Sequence, residues 1–461
     1  MQVANWRPVR GQGQSVTEQV LARLQAELKT WRTGARLPSV RVLAQAWHIS
    51  PHTVVTVYER LVALGFIESR PYSGFYVRAR RDVMQSEVQL QGERSDRIDL
   101  EWMLAAFMGQ NDGAGVPRHW LSPQRVQAAV RYVARTAGSS LLDYGHSHGY
   151  TPLRQHISAQ LEWLGVQADA DTQLLLCAGV THAIDLILRH SLKPGDCVVV
   201  EEPAWYLVFA RLAISGVKVV GVPRLADGPD MIRLEQVVQQ YQPVLMVINS
   251  VVHNPTGSSL SLAKAHQLLQ LAERHDFFFI EDDTFSELHP GNGYRLAQLD
   301  QLQRVILVGG YSKALAAGLR TAYLAASPER VEALARLKML SGMTTPELTE
   351  RVVHRLLSEG QHRKHMQRMR DLAMDGLERT LDGLAELGVF PDFRPQAGMF
   401  VWCDMGRDSE VLVRRLQADR HTVVAGHVFF PEQGPSSYLR FSVALADKPD
   451  FWKALARCMR E

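Results

Sequence analysis

One pattern constrains the fold of this chain more than any other. From Gln173 onward, short and continuously apolar runs (LLLCAG, CVVVEEP, KVVGVP, LMVINS, FFFIEDD, VILVGG and AYLAAS) alternate with helical stretches such as SLAKAHQLLQLAERHD. A strand with one wet face alternates apolar and polar residues, so a run that is apolar throughout must be covered on both faces. Helices on both sides of a mainly parallel sheet give that cover, which predicts an α/β body. Nearer the C-terminus more helix surrounds the strand-like GMFVWCDM and YLRFSVA, and a smaller α+β lobe is expected beside the main sheet.

The first eighty residues follow a different rule. Val16, Val20, Leu21, Leu24 and Leu28 recur at helical spacing and predict a helix from Val16 to about Trp31. After the break at Thr33-Gly34, Ser39 caps a short helix through Trp47. Ser50-Pro51 then opens a third helix, with the proline at the first helical position, where its missing N–H costs nothing. That helix runs to about Leu64, and Gly65 ends it. FIESRPYSGFYV reads as two strands around a Pro-Tyr-Ser-Gly turn, so the order is that of a winged helix-turn-helix. Val54, Leu61 and Leu64 are expected to pack in its core, and Tyr58 reads as core rather than contact. Residues 1–80 hold eleven Lys and Arg against four Asp and Glu, whereas the whole chain carries only +3, so a basic module precedes a slightly acidic body. Such a module suits a polyanion.

Residues 79–97 are polar, without an apolar period, and read as a linker between a head at 13–78 and a body at 98–461. No apolar run approaches the ~18 residues of a membrane span, and MQVANWRPVRGQGQ lacks the apolar stretch of a secretory signal, which leaves the cytoplasm as the expected compartment. Cys177, Cys197, Cys403 and Cys458 are scattered, without metal-ligand spacing, and read as core thiols; no metal site is expected.

The chemistry-bearing residues stand at the ends of the apolar runs. Lys313 follows VILVGG, where desolvation can hold an amine near its neutral form for a Schiff base with an aldehyde; Arg320 follows seven residues later and suits a phosphate. Gly179, Thr181 and His182 lie between a strand and a helix, where free N–H groups and the positive helix end favour an anion. Asp282 ends FFFIEDD, and a carboxylate there can keep a pyridine nitrogen protonated. Asn254, in HNPTG, can donate to a ring phenolate, and Trp205 can stack on a ring face. Singly, Trp205 reads as a core aromatic, His182 as a polar residue at a helix start, and Glu201-Glu202 as a solvated strand end.

Taken together, these residues carry two resemblances. Gly34-Ala35-Arg36-Leu37-Pro38-Ser39-Val40-Arg41, Leu43-Ala44, Ser50, Thr53-Val54, Tyr58, Leu61, Gly65 and Ser73-Gly74-Phe75 resemble the DNA-binding module of GntR-type regulators. That resemblance implies that Arg36, Ser39 and Arg41 touch phosphate or bases of a double-stranded DNA operator, and that His52, Thr53 and Thr56 face the groove. Pro51 departs from it, since the family usually has Arg there. Asn254-Pro255-Thr256-Gly257, Asp282, Ser312-Lys313 and Gly318-Leu319-Arg320, with Tyr144-Gly145 and Gly149-Tyr150 upstream, resemble the fold-type I pyridoxal phosphate aminotransferases. This second resemblance implies pyridoxal 5'-phosphate as cofactor, bound by Lys313, Asp282, Asn254, Arg320, Ser312, Trp205, Thr181 and His182. It further implies a homodimer, and an effector carboxylate on Arg440 within Tyr438-Leu439-Arg440-Phe441. The fusion resembles the MocR-type branch of the GntR regulators. Thr284, where that branch usually has Tyr, and Gly310, where Ser or Thr commonly stands, depart from the pattern. Three readings stay open: a regulator sensing pyridoxal phosphate or an amino compound, a working aminotransferase with a DNA-binding head, and a sensor of vitamin B6 alone.

Overall fold

The computed structural model describes residues 6–9, 15–28, 30–70, 73–78 and 116–460. The expected linker, 79–97, lies outside the described residues. The chain divides into two compact units, Met1–Arg94 and Ser95–Glu461.

In the first unit, helices α1 (Val16–Leu28), α2 (Val40–Trp47) and α3 (Pro51–Ala63) precede the antiparallel pair β1 (Ile67–Arg70) and β2 (Gly74–Val77). Val20, Leu24 and Leu28 lie four residues apart on one stripe of α1 and pack with Leu43, Trp47, Val54, Val57, Tyr58 and Leu61. Helix α1 ends three residues before Trp31. The Ser39 hydroxyl accepts the Val42 N–H (3.4 Å) at the start of α2, and the Ser50 hydroxyl accepts the Thr53 N–H (3.0 Å) at the start of α3. Between them His48 takes a left-handed conformation (φ 52°) and turns its N–H back to the last carbonyls of α2. Tyr58 is fully buried and its hydroxyl donates to the Pro38 carbonyl (2.9 Å), so it is a core residue. Leu64 corrects the reading from sequence: it caps the end of α3 and is 55% exposed.

The second unit is built on an eight-stranded sheet of order β3-β10-β9-β8-β7-β4-β5-β6. Its strands are β3 (Leu174–Cys177), β4 (Cys197–Glu202), β5 (Lys218–Leu225), β6 (Gly228–Pro229), β7 (Leu245–Ile248), β8 (Phe278–Asp282), β9 (Val305–Gly310) and β10 (Ala322–Ala325). The five strands β5, β4, β7, β8 and β9 are parallel. Alternate residues of these strands enter two separate cores: Met246, Ile248, Phe279, Val305 and Leu307 on one face, Leu245, Val247, Ile280, Ile306 and Val308 on the other. Burial on both faces is why the runs read as apolar throughout. AYLAAS is the exception in direction, since β10 runs antiparallel between β9 and β3. Its apolar run looks like the others because it too is covered on both faces.

The C-terminal lobe carries the antiparallel sheet β11 (Phe400–Asp404), β13 (Tyr438–Ser442) and β12 (Val424–Ala425), in that order, with helices Ser409–Ala418 and Pro449–Arg460 packed together. Among the described residues, no helix is long and apolar enough to cross a membrane.

Candidate functional site

Parallel strands end on one edge of a sheet, and loops leaving that edge are where α/β proteins collect ligands. Here β8 ends on Asp282, β7 leads into Asn249 and the turn around Asn254, and β9 leads through Tyr311 and Ser312 to Lys313. Burial lowers the Lys313 amine from its ordinary 10.5 to about 8; the Arg440 charge adds to that, Asp282 opposes it, and Arg320 adds to it again. These four side chains therefore share one electrostatic neighbourhood. The Lys313 ammonium also stands over the Phe285 ring, 5.6 Å from its centre.

Asp282 is half-buried, and desolvation raises its carboxyl above the usual range, while the hydroxyl and N–H of Thr284 (N···O 2.9 Å) hold its Oδ1 and pull the value back. Thr284, where a tyrosine would point at the ring, thus binds the carboxylate instead. Asn254 receives the Arg440 Nη1 donor on its Oδ1 (3.0 Å), which leaves its amide hydrogens for another acceptor. Arg440, buried between Phe400 (4.0 Å) and Phe429 (5.0 Å), has its pKa lowered to about 10 by desolvation. Trp205 lines the same small pocket as Asn254 and Asp282.

On the other side of Lys313, Arg320 reaches the Ser312 hydroxyl (3.4 Å), the Ala178 carbonyl (3.2 Å) and the Thr181 hydroxyl (3.4 Å). Gly179 precedes the helix Val180–Ser191 at φ 102°, and a side chain there would collide with the Arg320 guanidinium. A bare backbone at a helix start beside a guanidinium is the cradle a phosphate requires. The His182 ring is engaged within the turn, where its Nδ1 accepts the Ala178 N–H (3.0 Å). Gly310 has a steric cause, because a Cβ there would lie 2.9 Å from Val180 Cγ2 and 3.1 Å from Ala322 Cβ. No hydroxyl-bearing residue fits without a shift. The donor set, the cradle and the buried amine fit pyridoxal phosphate.

Lys313 also borders a cavity of about 1090 Å³, with Phe285, Glu287, His362 and Arg370 among its walls. In the first unit Arg36, Ser39, Arg41 and His52 are exposed, while Thr53 and Thr56 are half-buried. The Thr53 hydroxyl is shared with Ser50 (2.8 Å), and that of Thr56 donates to the His52 carbonyl (3.0 Å).

Residues 108–457 match the family described as aminotransferase class I and II. The chain belongs to that family. Residues 16–77 match the bacterial regulatory proteins of the gntR family, and this head followed by an aminotransferase body is the arrangement of the MocR-type branch. Among relatives, a 2-aminoadipate transaminase of Thermus thermophilus is 31% identical over 75% of this chain and 88% of its own length. The HTH-type transcriptional regulator YdcR of Escherichia coli is 26% identical over 90% of this chain and 91% of its own. The probable rhizopine catabolism regulatory protein MocR of Rhizobium meliloti is 27% identical over 77% and 74%. Among solved structures, LysN, the α-aminoadipate aminotransferase of Thermus thermophilus complexed with N-(5'-phosphopyridoxyl)-L-leucine, superposes with a TM-score of 0.73 at 28% identity, covering 80% of this chain and 97% of that one.

The aminotransferase class I and II family is pyridoxal-phosphate-dependent, which agrees with the donor set around Lys313. Two features of this member escape a reading of its sequence. Glu201 is not a solvated strand end: it is buried, its Oε1 pairs with Arg224 Nη1 (2.5 Å), and its Oε2 accepts the Asn249 N–H (3.0 Å). Asn249, which no motif marks, touches the backbone of both Asp282 and Asn254. The sequence signal for the pair is slight: Glu201 stands beside Glu202 at the end of CVVVEEP, and Arg224 directly follows KVVGVP.

Proposed function

We propose that this protein is a transcriptional regulator whose head, residues 13–78, binds double-stranded DNA and whose body, residues 98–461, holds pyridoxal phosphate on Lys313 and responds to it or to an amino compound. Residues 79–97 join the two. The observation that carries the reading is the lowered pKa of Lys313, about 8, in the same neighbourhood as Asp282, Arg320 and Arg440, on a chain that also carries a gntR head. When bound, the cofactor supplies an aldehyde for amines and an electron-withdrawing ring. Burial keeps the Lys313 amine available in its neutral form, the form that reacts with an aldehyde. Arg320, Ser312, Thr181 and the Gly179 backbone would hold the phosphate, with His182 fixing the turn. Asp282 would serve the ring nitrogen, Asn254 the ring oxygen and Trp205 the ring face. Arg440 takes the carboxylate of an amino-compound effector by a paired, charge-assisted contact.

A second copy of the chain is part of this reading. Tyr144 (80% exposed) and Leu142 (88%) precede Gly145, whose backbone lies near Glu347 and the Thr345 carbonyl, and Met343 and Leu348, neighbours of those two residues in sequence, are exposed as well. An apolar group of this kind supports a homodimer, and paired heads imply paired half-sites. In the head, Arg36, Ser39 and Arg41 would touch phosphate or bases of the DNA, and His52, Thr53 and Thr56 would face the groove.

The similarity to a 2-aminoadipate transaminase favours one other reading, a working aminotransferase. A direct test treats the purified protein with pyridoxal phosphate and borohydride, and measures binding to its own upstream DNA over a range of salt. The expected outcome is a cofactor fixed to the wild-type chain and absent from Lys313→Ala. DNA affinity should fall with salt, and Arg41→Ala should reduce the slope of log K against log salt by about one unit. A reducible adduct in Lys313→Ala refutes the cofactor assignment, and absence of DNA binding refutes the regulator.

A further inference from the structure

Four strand ends meet at Asn249, the residue after β7. Its N–H donates to Glu201 Oε2 on β4 (3.0 Å), and its carbonyl accepts from Arg224 Nη1 on β5 (3.0 Å). Its side-chain Nδ2 donates to the carbonyl of Asp282, the last residue of β8 (2.5 Å), and its Oδ1 accepts the Asn254 N–H (2.9 Å). The strands are neighbours in the order β8-β7-β4-β5. The partners dictate how the amide is oriented, since its oxygen must face an N–H and its nitrogen a carbonyl.

We infer that Asn249 is a positioning residue that sets the separation between Asp282 and Asn254, and through them the seat of the pyridine nitrogen and ring oxygen of the cofactor; this rests on the pyridoxal phosphate reading above. Each of the two ring-facing residues is then held at two points. Asp282 has its main chain on Asn249 and its carboxylate Oδ1 on Thr284, which leaves Oδ2 for the ring nitrogen. Asn254 has its main chain on Asn249 and its Oδ1 on Arg440, which leaves Nδ2 for the ring oxygen. Only a short, planar group with one donor and one acceptor spans both backbones. Serine is too short to reach two partners in opposite directions, and aspartate offers a second acceptor where a donor is needed.

Behind Asn249 the clamp is anchored in the sheet. Arg224 is held by Glu201 and by the Ser258 hydroxyl (3.1 Å), and His253 stands against Glu201 (3.6 Å) with its other ring nitrogen on Thr256 (2.8 Å). Burial pushes the His253 pKa well below its usual value, followed by the effect of the Arg224 charge, so the ring stays neutral and adds no charge behind the site. A shift of Asn249 would therefore have to move strand ends, which is what a fixed seat requires.

The test uses full-length Asn249→Ala and Asn249→Asp, with pyridoxal phosphate as the probe. Both variants keep Lys313, so both should still yield a borohydride-fixed adduct. Affinity for pyridoxal phosphate should fall about tenfold or more, as expected for one or two lost hydrogen bonds, and the pH midpoint of the bound cofactor's absorption should move relative to wild type. Asn249→Asp keeps the acceptor for Asn254 and loses the donor to Asp282, so its midpoint should differ from that of Asn249→Ala. Where the alanine variant does not fold, the isosteric aspartate variant carries the comparison. Unchanged affinity and midpoint in a variant that forms the adduct overturn the inference. So does a lowered melting temperature with an unmoved midpoint, because a purely structural role predicts that result. Failure of the wild-type protein to form any adduct overturns the cofactor reading instead, and the positioning role with it.

Discussion

At Lys313 burial works against the ammonium form, the Arg440 charge reinforces it, Asp282 resists it, and Arg320 reinforces it again, with a net value of about 8. Only the neutral amine attacks an aldehyde, so the rate of covalent attachment of pyridoxal phosphate should rise about tenfold per pH unit below 8 and level off above it. Replacing Arg440 by methionine removes a repelling charge, favours the ammonium form, and should move that midpoint upward toward the ordinary 10.5. Stopped-flow absorbance from pH 6 to 10 measures both curves. A midpoint that stays in place or falls in the Arg440→Met variant contradicts this account of the charges. Residues near the ends of apolar runs, such as Lys313, Asp282 and Arg320, are legible in sequence because their position depends on local order alone. Phe285 under the lysine and the Thr284 bond to Asp282 are not, since both depend on side-chain directions that spacing does not specify.

Strands β4 and β5 carry the feature least visible in the sequence. Glu201 and Arg224 stand in separate runs and meet only because β4 and β5 are neighbours, a pairing that periodicity does not encode. The sheet class is legible, by contrast, because two-sided burial writes itself into every run, and the helix-turn-helix is legible because Ser39, Ser50-Pro51 and Gly65 act within a few residues of themselves. The direction of β10 is invisible for the same reason as the ion pair. With both side chains at 0–1% exposure, Glu201→Ala leaves a guanidinium in the interior without its counter-charge, and should cost about 3–5 kcal/mol of stability. Glu201→Leu with Arg224→Met should recover much of the loss, because no buried charge is then left unmatched. Urea unfolding of Glu201→Leu, Arg224→Met and the double variant, beside Glu201→Ala, tests this. Additive losses in the double variant would mean that the two residues do not act as a pair.

At the scale of the whole molecule, a head that binds DNA and a body that holds a cofactor influence each other only if a ligand of the body has different affinity for the DNA-bound and DNA-free states. Linkage then makes the effect reciprocal: if pyridoxal phosphate or an amine changes operator affinity by some factor, operator DNA must change the affinity for that ligand by the same factor. Couplings of about 1–3 kcal/mol, or roughly 5–150-fold, are typical of such proteins. Operator binding should therefore be measured with the cofactor-free protein, with pyridoxal phosphate, and with a panel of amines added, and cofactor affinity measured with and without operator. Equal factors in the two directions are the expected outcome, and the coupling should disappear in Lys313→Ala if covalent attachment is the signal. A response to pyridoxal phosphate that no amine alters selects a sensor of the vitamin alone. Repeated turnover of an amino donor and a keto acceptor selects the aminotransferase, and there Thr284 and Phe285 decide the direction of expectation. Thr284 spends its hydroxyl on Asp282 where a tyrosine would reach the ring, and Phe285 offers Lys313 a ring face with no hydroxyl, so turnover should be slow while attachment persists. Coupling without appreciable turnover is the result this arrangement predicts.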